Sequence, residues 1–311
     1  MRGARDEETR LAGGAVLAVW VAAGTAAFGG CGPAGSGGDA PADGEGDVRA
    51  GVEESAVAGA ARAVFEDARW IDMSHPFDAA TIYWPTAESF RLDTVSAGTT
   101  DAGYWYAANA FSAAEHGGTH LDAPYHFARQ GATVEEIPVE RLVGPAAVVD
   151  VSAAADTDPD YLVGVDDLRA WEEDHGRIPD GAVLLLRTGW GERWPDRERY
   201  LGTARTGPEA VPELHFPGLG PDAARWLVEN RDVDAVGLDT PSIDHGQSSD
   251  FLSHQILYEA GIPGLENVAR LDLLPPVGAW VVALPMKIGG GTGAPLRVVG
   301  VVPRDAGGDG P

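Results

Sequence analysis

The amino-acid sequence predicts an α/β fold, because short apolar runs typical of buried strands alternate with segments of helical character. The apolar runs lie at residues 146–151, 181–189, 233–239, 279–286 and 295–302. Each has the length of a strand and is rich in Val, Leu or Ala. With 311 residues, the chain is long enough to bury such a core as one folded unit without disulfides.

Three helical segments lie before and between these runs. The first, at residues 56–69, opens the globular part of the chain. Residues 165–176 begin with an acidic first turn, and residues 221–231 begin with Pro221; both features favour the start of a helix. Strands mixed with helices in this order indicate the α/β class.

The charge balance limits the classes of partner. The chain carries 48 acidic and 22 basic residues, a formal net charge of −26. This charge repels nucleic acid and anionic membrane surfaces, so a small molecule is the expected partner. The single cysteine, Cys31, excludes an intrachain disulfide and any cysteine-based metal site.

The ends of the chain are expected to lie outside the folded domain. Residues 1–30 resemble an export signal, with early arginines and an uncharged stretch at 11–30, and the residues before Cys31 resemble a lipobox. A lipid anchor at Cys31, ordinary secretion and an uncleaved membrane anchor remain alternatives. Residues 31–55 are expected to form a disordered linker, 56–305 the folded domain and 306–311 a polar tail. The protein is therefore expected to be exported.

The chemistry is concentrated in the stretch HGGTHLDAPYH at residues 116–126. His120 and Asp122 are two residues apart and share one face of an extended segment, and a Gly-Gly turn can fold His116 onto the same point. Two imidazoles and a carboxylate are ligands for a divalent ion such as Zn, Mn or Fe with positions open for water. His126 is suited either to a fourth ligand position or to proton transfer.

Other polar and aromatic residues carry weaker signals. Trp105 and Tyr106 are candidate walls for an aromatic substrate, with core packing as the alternative. A structural position is expected for His75, His175 and His215, whereas His245 lies in a polar stretch that can reach the site. The glycine-rich segment IGGGTGAP lacks a P-loop lysine and is expected to be a turn between the last two strands.

The motif resembles the His-x-Gly-Thr-His-x-Asp-x-Pro-x-His signature of the metal-dependent cyclase family, which includes kynurenine formamidases and isatin hydrolases. The similarity extends from WIDMSHPFDAATIYWPT through LLLRTGW and GLDTPSIDHGQSSDFLSHQIL to the end of the globular region. It implies a swivelling-type β/α domain with a β-rich core flanked by helices, usually assembled as a homodimer.

The resemblance also implies roles for individual residues. His116, His120 and Asp122 match metal ligands, and His126 matches the proton-transfer histidine. His254 and Glu266 match positions that complete a second metal site, and Trp84 matches an aromatic residue of the substrate pocket. One or two ions of Mn or Zn are implied.

Residues and resemblance together predict a metal-dependent hydrolase that cleaves the C–N bond of an aromatic amide. The substrate is either a cyclic amide such as isatin or an aryl formamide such as N-formylkynurenine. A serine hydrolase is disfavoured because the chain contains no Gly-x-Ser-x-Gly elbow. The alternative from another class is a surface-tethered protein that binds a metal or a small aromatic molecule without catalysis.

Overall fold

The computed structural model describes residues 67–304. The predicted export signal, the lipid anchor at Cys31, the linker, the tail and most of the first helical segment lie outside these residues, so they stay predictions. Only the end of that segment is described. There the prediction is wrong, because Ala68 and Arg69 begin a strand that pairs with the last strand of the chain.

Strands form the centre of the fold. Their bounds are β1 Ala68–Asp72, β2 Arg91–Thr99, β3 Trp105–Ser112, β4 His120–Asp122, β5 Val143–Asp150, β6 Leu162–Val163, β7 Ala182–Arg187, β8 Gly218–Leu219, β9 Val233–Leu238, β10 Gly264–Glu266, β11 Trp280–Pro285 and β12 Gly293–Pro303. The five predicted apolar runs correspond to β5, β7, β9, β11 and β12. The prediction of these strands is confirmed to within a few residues at each end.

Seven of the strands close into a barrel. The order β12-β11-β5-β7-β9-β10-β4 returns to its start because β4 also pairs with β12. The pairs β5–β7, β7–β9 and β9–β10 are parallel, and the remaining barrel pairs are antiparallel. Strand β1 is added to the edge of β12, while β2 and β3 form a separate antiparallel hairpin. Closure leaves the short strand β4 with partners on both sides.

The helices are α1 Ser152–Ala155, α2 Val165–His175, α3 Arg197–Leu201, α4 Pro221–Asn230 and α5 Leu252–Glu259. Both helices expected between the strands are confirmed as α2 and α4. Helix α2 begins where Asp167 Oδ2 accepts from the Gly164 backbone N–H at 2.7 Å. It ends at His175 and is followed by Gly176, whose φ of 85° favours glycine. Short 3-10 turns occupy several connections.

Two apolar layers explain why the central strands read as continuous apolar runs. Alternate residues such as Val148 and Leu185 point into the barrel, where they meet residues from all seven strands. Their neighbours Val149 and Leu186 point outward and pack beneath helices α2, α4 and α5. Because both faces of these strands are covered, both sets of side chains are apolar. The expected β-rich core flanked by helices is confirmed.

Among residues 67–304, no helix is long and apolar enough to cross a membrane.

Candidate metal centre

The motif at residues 116–126 crosses the closing strand of the barrel. Leu121 points into the barrel core, so alternation turns His120 and Asp122 to the outer face of β4. Gly117 forms an isolated bridge with Tyr83, and its α-carbon packs so closely on the tyrosine ring that an added Cβ would lie 2.0 Å from it. His116, on the other side of the Gly-Gly pair, reaches the outer face, where its Nδ1 is 2.6 Å from Asp122 Oδ1.

The first donor group consists of His116, His120 and Asp122, whose ligand atoms lie within 4.8 Å of one another. Asp122 Oδ1 is 2.6 Å from His116 Nδ1 and 3.1 Å from His120 Nε2. His120 and Asp122 are buried, while the side chain of His116 is 25% exposed. The three side chains that the sequence singled out therefore converge on one point.

The second donor group shares Asp122 with the first and adds His254 and Glu266. Strand β10 pairs with β4 so that Glu266 lies opposite His120, and helix α5 places His254 above this pair. His254 Nε2 is 3.1 Å from Glu266 Oε1 and 3.7 Å from Asp122 Oδ2. Residues distant in sequence thus form a second ligand set beside the first.

The donor atoms fit a bound cation. Within residues 67–304, the buried His120 Nε2 has no hydrogen-bond partner of good geometry, although Asp122 Oδ1 and Glu266 Oε2 are 3.1 and 3.3 Å away. The other nitrogen, Nδ1, bonds the Gly118 carbonyl oxygen at 2.9 Å. In the same way, His254 Nδ1 bonds Asp244 Oδ2 at 2.5 Å. Each ring is oriented by one nitrogen and presents the other to the carboxylates, as in metal sites.

The electrostatics of the two sets are dominated by close carboxylate and imidazole contacts. Burial lowers the pKa of His120, but contacts with Asp122 and Glu266 outweigh it and raise this pKa to about 10. His254 behaves likewise, since Asp244 and Glu266 overcome burial and raise its pKa to about 10. Burial opposes ionisation of Asp122, yet the histidines hold its pKa well below the usual range. A divalent cation can replace these protons.

His126 lies beside the ligands without joining either donor group. Its Nε2 is 4.0 Å from Asp122 Oδ2, and its ring stacks on His116 with 3.9 Å between ring centres. Burial lowers the pKa of His126 to about 4 against the opposing pull of Asp122. The imidazole is therefore neutral near pH 7.

A cavity of about 290 Å³ opens onto these side chains. All seven residues assigned by the sequence, namely Trp84, His116, His120, Asp122, His126, His254 and Glu266, line it. Its apolar wall includes Tyr83, Trp84, Phe127 and Phe251, and Trp84 meets Phe251 edge to face with 6.2 Å between ring centres. The arrangement suits a small flat molecule next to the metal ligands. The individual roles of these residues stay predictions.

Two aromatic predictions are wrong. Trp105 and Tyr106 neither line this cavity nor pack in the core: they are 69% and 51% exposed on the β2–β3 hairpin. The reason is topological, because β2 and β3 pair only with each other and lie outside the barrel.

The other histidines lie apart from the donor atoms. His75 stacks on Trp194 at 4.1 Å, His175 ends helix α2, and His215 pairs with Asp160 at 2.8 Å. His245 is partly buried and does not line the cavity. Its neighbour Asp244 is the residue of this stretch that contacts the site, because its carboxylate forms a hydrogen bond with the His254 ring.

Sequence reasoning missed two partners of the ligands. The Tyr258 hydroxyl donates to Asp122 Oδ2 at 2.9 Å, and Asp244 accepts from both the backbone and the ring of His254. Tyr258 follows His254 by four residues on one helix, so helical spacing was an available signal. No spacing rule links Asp244 to His254, because a loop joins them.

Comparison with known proteins agrees with this geometry. The family profile described as Putative cyclase matches residues 71–245. The chain is 35% identical over 210 residues to an isatin hydrolase of Roseibium aggregatum, covering 65% of this chain and 77% of that protein. It is 31% identical over 234 residues to a kynurenine formamidase of Salinibacter ruber, covering 74% and 95%. The solved isatin hydrolase A of Ralstonia solanacearum superposes with a TM-score of 0.70 at 35% identity, over 81% and 97% of the two chains.

Proposed function

The chain belongs to the cyclase family, and on that premise we propose that it hydrolyses the amide bond of a small aromatic substrate, a cyclic amide such as isatin or an aryl formamide such as N-formylkynurenine. It is a metal-dependent hydrolase of this family. The observation that carries the substrate proposal is the cavity in which aromatic side chains face two donor groups that share Asp122.

The ion would be held by His116, His120 and Asp122, with His254 and Glu266 available for a second one. A divalent ion supplies a water of lowered pKa and polarises the amide carbonyl. We propose Mn or Zn, since imidazole and carboxylate ligands suit both. Tyr258 and Asp244 keep the ligands in place, because each forms a buried hydrogen bond to a ligand side chain.

His126 moves the protons of the reaction. Its neutral ring accepts a proton from the attacking water, and it then returns this proton to the departing amide nitrogen. The ring is partly exposed to the cavity, and it stacks on His116, which fixes its plane relative to the metal ligands. The neutral imidazole of His126 beside the proposed metal ligands supports a hydrolase over a protein that only binds a metal or a small molecule.

The substrate is held by the apolar surface of the cavity. Trp84, Phe127 and Phe251 supply flat apolar surface in the same cavity, and Phe127 packs against His254 with 4.8 Å between ring centres. An aromatic ring bound in this cavity would lie close to His120 and Asp122, which line it as well. The size of the cavity, about 290 Å³, suits a bicyclic molecule or a single substituted ring.

The test is metal-dependent turnover. Purified full-length chain is stripped with a chelator, reloaded with Mn²⁺ or Zn²⁺, and assayed for isatin ring opening and for deformylation of N-formylkynurenine. We expect turnover that the chelator abolishes and the ion restores. Metal-dependent binding of these compounds without any turnover would favour the alternative of a binding protein and contradict the proposal.

We propose two further properties. A homodimer is supported by the exposed apolar side chains of the β2–β3 hairpin, among them Leu92, Trp105 and Phe111; light scattering of the purified chain tests it. Export, with a lipid at Cys31, is supported only by the sequence of residues 1–31. Mass spectrometry of the mature N-terminus tests that proposal.

A further inference from the structure

One metal ligand is oriented by a loop that lies far away in sequence. His116 Nε2 is 2.8 Å from Thr292 Oγ1. The Thr292 hydroxyl donates its own proton to Glu115 Oε2 at 2.6 Å, and the Thr292 backbone N–H donates to the same oxygen at 3.0 Å. Because a hydroxyl carries one proton, Thr292 Oγ1 must act as the acceptor toward the imidazole. The hydrogen-bond network therefore assigns the proton of this contact to His116 Nε2.

This assignment decides which atom of His116 faces the donor group. With the Nε2 proton committed to Thr292, the nitrogen left for an ion is Nδ1, which is 2.6 Å from Asp122 Oδ1. His120 and His254 use the opposite arrangement, since Nδ1 of each is taken by an acceptor and Nε2 faces the carboxylates. His116 thus differs from the other two ring ligands.

The loop that carries Thr292 is held independently of His116. The Ala123 backbone N–H donates to the Thr292 carbonyl oxygen at 2.9 Å, and the Val134 N–H donates to the Gly291 carbonyl oxygen at 3.0 Å. Next to Thr292, Gly293 approaches His116 so closely that a Cβ added there would lie 2.5 Å from the ring Cε1. The loop therefore provides a fixed acceptor and a close backbone surface for one imidazole.

We propose that Thr292 and Glu115 form a hydrogen-bond relay that fixes His116 as an Nδ1 metal ligand. Both are positioning residues, because their side chains act on the metal site through His116. The proposal rests on the proposed function, in which His116 binds an ion. The glycine-rich segment expected to be a plain turn does join β11 to β12, and the relay gives it a second task at the metal site.

The experiment measures Mn²⁺ affinity directly, by calorimetric titration of the stripped full-length chain. Thr292→Val removes the hydroxyl while keeping the shape of the side chain nearly constant. Thr292→Ser keeps the hydroxyl and removes only the methyl group. Loss of a hydrogen-bond partner behind a metal ligand weakens affinity by about 10–100-fold, which is the change expected for Thr292→Val. Thr292→Ser should remain within about threefold of the wild type, because its hydroxyl can make the same two bonds.

Thr203 provides a matched control. It is buried and donates its hydroxyl to Glu213 at 2.8 Å, the same pair of groups as Thr292 and Glu115, but it does not line the metal-site cavity. Thr203→Val should leave Mn²⁺ affinity unchanged. The visible spectrum of the Co²⁺-loaded chain should change for Thr292→Val and stay unchanged for Thr203→Val. A Thr292→Val variant with wild-type affinity and spectrum would overturn the relay.

A double variant tests whether Thr292 and Glu115 act on Mn²⁺ affinity through one chain of hydrogen bonds or independently. Glu115→Ala removes the acceptor of the hydroxyl proton, and it should weaken Mn²⁺ binding in the same direction as Thr292→Val. Combined, the two changes should cost little more than Thr292→Val alone, since they interrupt one chain of bonds. Additive losses would mean that the residues act separately, which contradicts the proposal.

Nitrogen-15 NMR of the Zn²⁺-loaded wild type tests the assignment without any substitution. We expect His116 to show a protonated Nε2 and a metal-bound Nδ1, and a metal-bound Nε2 would overturn the relay. Failure of the wild-type chain to bind Mn²⁺ or Zn²⁺ overturns the proposed function itself. Binding by the wild type with an unaffected Thr292→Val variant overturns the relay alone.

Discussion

Replacing His126 with alanine separates proton transfer from metal binding. Positioned acid–base groups contribute about 10²–10⁴-fold to a rate, so kcat/KM should fall by that factor, equivalent to about 2.7–5.4 kcal/mol. Metal affinity should change by less than about threefold, because His126 Nε2 is 4.0 Å from the nearest ligand oxygen and belongs to neither donor group. The substitution also removes the stacking contact with His116, which costs about 0.5–1.5 kcal/mol of stability.

The assay pairs steady-state kinetics on an aromatic amide with calorimetric titration of Mn²⁺, and thermal unfolding checks that the variant is folded. His175→Ala is the control, because His175 is exposed at the end of helix α2. It should leave both turnover and metal affinity unchanged. If His126→Ala loses the metal along with turnover, His126 is a ligand; if it keeps full turnover, the proton moves by another route. Either result would refute the reasoning.

Two further predictions concern the metal site itself. Metal binding at pH 7.5 should release protons, because the raised pKa values of His120 and His254, each about 10, keep both rings protonated in the metal-free chain. Calorimetry in buffers of different ionisation enthalpy should count about one proton for one filled site and about two for both sites; zero release at any metal load contradicts the assignment. Separately, Gly293→Ala should weaken Mn²⁺ binding by about tenfold or more, because its Cβ would lie 2.5 Å from the ring of His116, a proposed metal ligand, and 2.8 Å from the Leu121 carbonyl oxygen. Gly289→Ala, whose Cβ meets nothing within 4 Å, should bind normally, and equal effects of the two substitutions would count against a specific contact with His116.

The strand predictions succeeded where burial on both faces leaves a continuous apolar signal. The runs that became β5, β7 and β9 could be placed because nearly every residue in them packs either inside the barrel or beneath a helix. Short strands gave no such signal. β4 and β10 have three residues each, and pairing with neighbours from elsewhere in the chain defines them as strands.

The hairpin shows the opposite error. Trp105 and Tyr106 were expected either at the substrate or in the core, since large aromatic side chains are usually covered. The strands that carry them form a two-stranded sheet outside the barrel, so the side chains are exposed in the isolated chain. The type of a residue indicates whether its side chain prefers burial. The surface that covers the side chain depends on how the other strands and helices are arranged.

The sequence by itself determined the first donor group. His116, His120 and Asp122 lie within seven consecutive residues, so strand alternation and one Gly-Gly turn are enough to bring them together. The relative positions of these three side chains depend on only a few backbone angles, so the local sequence pattern is enough to predict them.

Only the tertiary structure decided what surrounds that group. Closure of the barrel brings Glu266 opposite His120, helix α5 supplies His254 and Tyr258, and the loop before β12 places Thr292 against His116. These contacts depend on strand register and helix packing, and many interactions throughout the barrel determine both. Apart from the four-residue spacing of His254 and Tyr258 on one helix, spacing along the chain carries no information about such contacts. The packing of the folded chain sets their distances.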